Sequence, residues 1–149
     1  MNLSQKCQYA VRAIFELSKH FGAGPFAISM IAANQGIPQR FLENILSELK
    51  STGLIESKRG IQGGYLLVRD PSTVTVGEIV RLIDGPQVPV KCISDKKPPC
   101  CPLKDNCVLA HLWNRAKLAV EDVYNGTSFR DLVEQEKQLR QKAALDFSI

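Results

Sequence analysis

Four of the five cysteines fall within sixteen residues, in the stretch "CISDKKPPCCPLKDNCVLAHLW" that runs from Cys92 to Trp113. Cys92, Cys100, Cys101 and Cys107 are thiols in a segment stiffened by Pro98, Pro99 and Pro102, with little around them that could pack a core. Thiolates suit zinc, copper(I) and iron-sulfur clusters, and clusters commonly take their ligands from such loops. Zinc sites usually show paired Cys-x-x-Cys spacing, and no such pair occurs here. Lys91, Lys96, Lys97 and Lys104 surround the thiols and would offset the charge of a thiolate-bound group. Cys107 also opens a helical segment, where the dipole favours a thiolate. The odd cysteine count and its bunching favour metal or redox chemistry over a disulfide framework. The fifth cysteine, Cys7, has the register of a buried helical position.

The loop joins two halves of different charge. Residues 1 to 69 carry eight Lys or Arg against four Glu, whereas residues 70 to 149 carry eleven of each sign. The whole excess of +4 therefore lies in the first half, the half suited to a polyanion. No apolar run approaches the roughly 18 residues that a membrane span needs. The amphipathic N-terminus, "MNLSQKCQYAVRAIFELSKHF", lacks the pattern of a secretory signal, so a cytoplasmic location is expected.

Stepping along the chain, Leu3, Cys7, Ala10, Val11, Ile14, Leu17 and Phe21 recur every three or four residues and predict a helix with one buried face. "FGAGP" ends it. A short helix with Ile28, Ile31 and Ala32 inward follows, and "NQGIP" breaks that one. Pro38 suits the start of a third helix with Phe41, Leu42, Ile45, Leu46 and Leu49 as its apolar stripe and Gln39, Arg40, Glu43, Asn44 and Ser47 opposite. "LIES" and "YLLV" then read as the strands of a hairpin, with Gly60, Gly63 and Gly64 giving its tip positive φ angles. Two short helices, a tight turn and a glycine-tipped basic hairpin are the order of a winged helix-turn-helix.

Arg can read guanine, Gln or Asn adenine, and Glu cytosine in a major groove. Lys58 and Arg59, beside Gly60, Gln62 and Gly63, put long cations on a slim tip suited to a minor groove. Further on, Thr75 and Glu78 have capping-box spacing before Val76, Ile79, Val80 and Ile83. Past the cysteines, Val108, Leu112, Ala116, Ala119, Val120 and Val123 keep a narrow, coiled-coil-like seam, and a long helix of this kind wants a partner. Ser128 and Asp131 cap a last helix through Phe129, Leu132 and Val133, and polar residues 135–149 are expected to be a flexible tail. The fold class expected is mainly α with a small β-hairpin wing. Its divisions are a winged helix-turn-helix over 1–84, a cysteine loop over 85–107, a dimerisation helix with its return helix over 108–134, and the tail.

"MNLSQKCQYAVRAI", "GIPQRFLENILSELKSTGLIESKRGIQGGYLL", "VTVGEIVRLID" and the cysteine loop followed by "LW" resemble the Rrf-type family of bacterial winged-helix transcription regulators, above all its iron-sulfur branch, the IscR-like and NsrR-like proteins. The resemblance covers the chain from Met1 to about Val133. It implies a homodimer paired through the helix around Val108 to Tyr124, bound to a double-stranded DNA operator. It puts the third helix, from Pro38 to Asn44, in the major groove and the wing, from Arg59 to Gly63, in the minor groove. Ile61 and Gln62 stand where many members have proline and glycine.

The resemblance also implies an iron-sulfur cluster, of two-iron or four-iron form, held by three cysteines of which the last two are five residues apart. Cys92, Cys101 and Cys107 meet that pattern, with Cys100 as an alternate to Cys101. IscR-like proteins place a histidine where this chain has Ala110. His111 lies one residue on, about 100° around the helix. NsrR-like proteins use an acidic side chain where this chain has Gln8, next to Cys7, so His111 and Cys7 are the alternates for the remaining ligand. An incompletely cysteine-ligated cluster would serve as a sensor of iron-sulfur status, redox state or nitric oxide. The rivals are the same fold used as a thiol-redox or zinc-dependent regulator, and a small iron-sulfur electron-transfer protein, which leaves the wing unexplained. No nucleophile elbow, phosphate loop or paired carboxylates suggest an enzyme, and His20 is expected to make a dipole contact at the end of the first helix.

Overall fold

Ser4 starts the first helix, its hydroxyl accepting from the Cys7 amide at 3.0 Å, and α1 runs over Gln5–Lys19. In the computed structural model, which describes residues 1–94, 101–103 and 106–148, Cys7, Ala10, Ile14 and Leu17 are fully buried on one face of α1. Helices α2 (Ile28–Gln35) and α3 (Gln39–Ser51) pack against that face. Gly36 ends α2 in the left-handed conformation that its φ of 60° requires, and Pro38 caps α3. Ile31, Ile37, Leu42, Ile45, Leu46 and Leu49 complete this part of the core. Phe41, expected in the buried stripe, is instead 45% exposed. It stands about 90° from the centre of the Leu42–Ile45–Leu46–Leu49 stripe, at its very edge.

The hairpin pairs β1 (Ile55–Lys58) with β2 (Gly64–Leu67) in antiparallel register, from Ile55 opposite Leu67 to Lys58 opposite Gly64. Each strand lies one residue nearer the tip than the apolar pattern suggests. Phe26 adds a bridge to β2: its amide donates to the Tyr65 carbonyl at 2.8 Å and the Tyr65 amide returns a bond at 2.9 Å. That approach needs Gly64, because a Cβ there would lie 2.3 Å from the Phe26 carbonyl oxygen.

Helix α4 (Val76–Asp84) buries Ile79 and Val80 and is capped by the Thr75 hydroxyl, which accepts from the Glu78 amide at 3.2 Å. The expected capping box is one-sided, since the Glu78 carboxylate turns to Arg69 at 2.6 Å. Helix α5 covers Val108–Gly126, and α6 covers Phe129–Asp146 behind a complete Ser128–Asp131 capping box. The turn between them is pinned to the start of α4: the Val76 amide donates to the Thr127 carbonyl and the Phe129 amide to the Val74 carbonyl, each at 3.0 Å.

Residues 135–146, expected as part of a flexible tail, are helical. Glu134 pairs with Lys137 at 3.0 Å and Glu136 with Arg140 at 3.1 Å along the exposed face. Glu136 also reaches Lys19 of α1 at 3.5 Å, so a polar composition here supports the helix instead of dissolving it. No helix among the described residues is long and apolar enough to cross a membrane.

Candidate nucleic-acid interface and thiol site

Burial of the Leu42–Leu49 stripe turns the other face of α3 outward, and Pro38, Gln39, Arg40, Glu43 and Asn44 are all exposed on it. Gln39 Nε2 donates to Glu43 Oε1 at 3.5 Å, and the Arg40 guanidinium lies 4.8 Å from the centre of the Phe41 ring. Phe41 lines a cleft with Gln5, Lys6, Tyr9, Asn44 and Ile45. The polar flank of α1 therefore borders α3, with Gln5 Nε2 donating to the Tyr9 hydroxyl at 3.0 Å and Lys6 paired to Glu48 at 2.5 Å. The apolar period of α1 reveals only its buried side. The signal for these neighbours was the polar set at 5, 6 and 9, which flanks that buried side.

The orientation of α2, and through it of α3, is set by a buried carboxylate. Glu16 is 1% exposed and accepts from Asn34 at 2.8 Å and Gln35 at 2.6 Å while pairing with Lys19 at 2.8 Å. Burial alone would raise its pKa, but the hydrogen bonds from Lys19, Asn34 and Gln35, with the charge of Lys19, outweigh that and bring it down to about 2. His20, expected to make a helix-dipole contact, instead places Nε2 3.3 Å from Glu16 and stacks on Phe26 at 3.8 Å between ring centres.

At the wing, the Lys58–Gly64 pair leaves residues 59–63 as the loop. The Gly63 amide donates to the Gly60 carbonyl at 3.0 Å, closing a turn with Ile61 and Gln62 at its corners. Gly60 has a φ of 114°, as expected of the tip. Gly63 does not use a positive φ; it is required because a Cβ there would stand 2.3 Å from the Lys58 carbonyl oxygen. Lys58 and Arg59 are exposed and make no ion pair among the described residues, unlike Lys6, Lys19 and Arg69. Together with Arg40 they leave uncommitted cations on α3 and on the wing.

The thiols divide into two kinds. Cys7 is fully buried, its thiol bonded to Asp84, and Asp84 is in turn held by the Ser4 amide at 2.7 Å and hydroxyl at 2.5 Å. Burial, aided by the charge of Asp84 and that hydrogen bond, pushes the Cys7 thiol up to about 12. Fully buried, in keeping with its helical register, Cys7 is set apart from the accessible thiols. Cys92 is exposed in a 3-10 turn over Lys91–Ile93, Cys101 is half-buried, and Cys107 is the half-buried N-cap of α5. All three are free thiols. Among the described residues they do not come together with each other, or with any His, Asp or Glu, as a group of three or more able to hold a metal ion. Cys100, Lys96, Lys97 and Lys104 lie outside the described residues. His111 is exposed on α5 and Ala110 half-buried, while Gln8 donates to the Leu3 carbonyl at 3.1 Å.

The family model of Rrf2, described as an iron-dependent transcriptional regulator, matches residues 3–135. The chain belongs to the Rrf2 family. This Rrf2 chain is 34% identical over 132 residues to the HTH-type transcriptional regulator CymR of Bacillus subtilis, spanning 89% of each chain. It superposes on T. potens IscR with a TM-score of 0.74 at 31% identity, covering 93% of this chain and 90% of that one. It superposes equally on CymR, the global cysteine regulator of B. subtilis, with a TM-score of 0.75 at 33% identity, covering 91% and 98%. Among the described residues, six α-helices and a two-stranded hairpin thus form the winged-helix fold of an Rrf2 DNA-binding transcriptional regulator, in a family of regulators rather than enzymes.

In this Rrf2 chain no residue of α5 is fully buried. Of the expected seam, Val108 is 76%, Leu112 49% and Val123 64% exposed and Ala119 is also exposed, while Ala116 and Val120 turn partly inward. Leu109 and Leu118, at 50% and 56%, widen the exposed apolar face beyond the seam.

Proposed function

We propose that this Rrf2 regulator binds a double-stranded DNA operator as a homodimer and reports iron-sulfur status, redox state or nitric oxide through a cysteine-ligated iron-sulfur cluster. Pro38, Gln39, Arg40, Glu43 and Asn44 read the major groove, and Lys58, Arg59, Gly60, Gln62 and Gly63 follow the minor groove. The apolar face of α5 pairs the two copies, and a DNA target places the protein in the cytoplasm.

The observation that carries the sensing step is the division of the thiols. Cys7 is committed to the core, while Cys92, Cys101 and Cys107 are free, at least partly accessible, and all lie between α4 and α5. As a donor set, three uncommitted thiols fit an iron-sulfur cluster of two-iron or four-iron form. Cys92, Cys101 and Cys107 would hold it, with Cys100 or His111 as alternates. When bound, the group supplies reversible electron uptake and a site open to oxidant or nitric oxide. The chain's own part is mechanical, because the same segment joins the DNA-reading half to α5 and its state biases the spacing of two reading heads.

Anaerobic purification, an absorption spectrum and assays of iron and sulfide test the cluster. Iron and sulfide bound in stoichiometric amounts with visible absorption are expected, and a colourless, iron-free protein after reconstitution would refute it. The second reading, regulation by thiol oxidation or by zinc, rests on the same three free thiols. Zinc content and thiol titration in the same samples separate its two forms. For DNA, Arg59→Ala weakens binding across sequences and lowers the salt slope by about one, while Glu43→Ala changes sequence preference.

A further inference from the structure

Ile61 is the most exposed large apolar side chain of the wing, with a relative exposure of 106%. Nothing among the described residues covers it. It occupies a corner of the Gly60–Gly63 turn, whose two glycines keep the tip narrow on either side. Directly before that turn stand Arg59 and Lys58, exposed and without an ion pair among the described residues, and directly after Ile61 comes the exposed amide of Gln62. An aliphatic group flanked by cations and an amide donor, on a tip this slim, is suited to a groove with anionic walls and a flat floor. A minor groove about 6 Å wide has that form.

From this juxtaposition we infer that Ile61 is a specificity-determining residue: it lies on the floor of the minor groove and selects A·T pairs against pairs bearing a guanine 2-amino group. The inference rests on the wing-in-groove reading above. At an A·T pair the floor offers the adenine C2–H, which an aliphatic group can cover, and the N3 and O2 acceptors, which the Gln62 amide and Arg59 can satisfy. At a G·C pair the 2-amino group projects into the same space. Ile61 has no acceptor for it, so contact would bury an N–H without a partner.

The test uses the full-length protein and a duplex that it selects from a randomised pool. Each A·T pair of that duplex is replaced in turn by G·C, by inosine·C and by 2,6-diaminopurine·T. Inosine·C keeps the major-groove face of G·C but lacks the 2-amino group, and diaminopurine·T adds that group to an otherwise A·T-like pair. At the pairs under the wing, G·C and diaminopurine·T are expected to weaken binding about tenfold while inosine·C binds like A·T. Ile61→Ser should bring all four within about twofold of one another, and Ile61→Leu should keep the discrimination. The melting temperature of each variant should match the wild type, because the side chain is fully exposed. Discrimination that survives Ile61→Ser, or that follows the major-groove face so that inosine·C behaves like G·C, overturns the inference alone. Failure to select any duplex, or an Arg59→Ala protein that binds the selected duplex unchanged, overturns the wing-in-groove reading and the inference with it.

Discussion

The winged half and α5 are built on opposite terms. Among the described residues, every buried aliphatic side chain lies between Ala10 and Val80, in α1–α4, the hairpin and the segments that join them, and of the residues after α4 only Phe129 joins them. Helix α5 is longer than any of α1–α4, yet it contributes no buried residue. It is held at its C-terminal end, where Arg81 bonds Asn125 and the Thr127 and Phe129 backbones pair with α4 and its approach. Its other end carries Cys107. The difference teaches that the first part is stable through its own packing, whereas the second is fastened chiefly near its C-terminal end, with Cys107 at the other end and an apolar face left exposed, the face on which the proposed pairing of two copies rests.

The largest effects should come from the packed half. Leu46→Ala, at a fully buried position on α3, is expected to lower stability by about 2–5 kcal/mol, read from thermal or denaturant unfolding. On α5 the same kind of change should leave that quantity nearly untouched and act on assembly instead. Leu112→Asp at a half-exposed position is expected to turn a dimer into a monomer in analytical ultracentrifugation while far-ultraviolet circular dichroism keeps its helical signal. A monomeric wild type, or a dimer unchanged by Leu112→Asp, would break the comparison.

Glu16→Gln should cost about 1–3 kcal/mol, since it keeps the shape of a buried acceptor but loses its charge. The carboxyl is held down at about 2 from an ordinary 4.5, so its contribution is complete above the ordinary value and is lost as pH falls from there towards 2. The Gln variant should therefore lose less stability than the wild type across that acid window in pH-dependent melts.

The smallest effect lies with Cys7. Its thiol is raised from 9.0 to about 12, so the stability it contributes is complete below 9 and fades as pH rises through 12. Cys7→Ala should flatten that alkaline slope. In the wild type at neutral pH, a thiol reagent should label Cys92, Cys101 and Cys107 while Cys7 waits for unfolding, a difference followed by mass spectrometry.

The helical face of α1, the Leu42–Leu49 stripe, the glycine-tipped hairpin and the Ser128 cap were all legible, because a buried stripe or a cap depends on neighbours three and four residues away. The extent of α6 was not. Polar residues 135–146 read as a tail because composition does not show that Glu136 has partners on both α6 and α1. Phe41 failed for a related reason: an edge position on a helix is buried or exposed according to what stands beside it, and here that is the polar flank of α1. The Glu16 network joins residues eighteen and nineteen positions apart, beyond any local pattern.

By itself the sequence determined the order of the parts, the cysteine spacing and the basic first half, since these are properties of chemistry along a line. The resemblance to Rrf-type regulators singled out Ile61 and Gln62 as departures at the tip of the wing. Only the tertiary structure decided which cations remain without an ion pair, that Cys92, Cys101 and Cys107 are free and at least partly accessible, and that Ile61 has no cover among the described residues. Each of those depends on distances between segments far apart in the chain, which are set when the apolar faces close on one another.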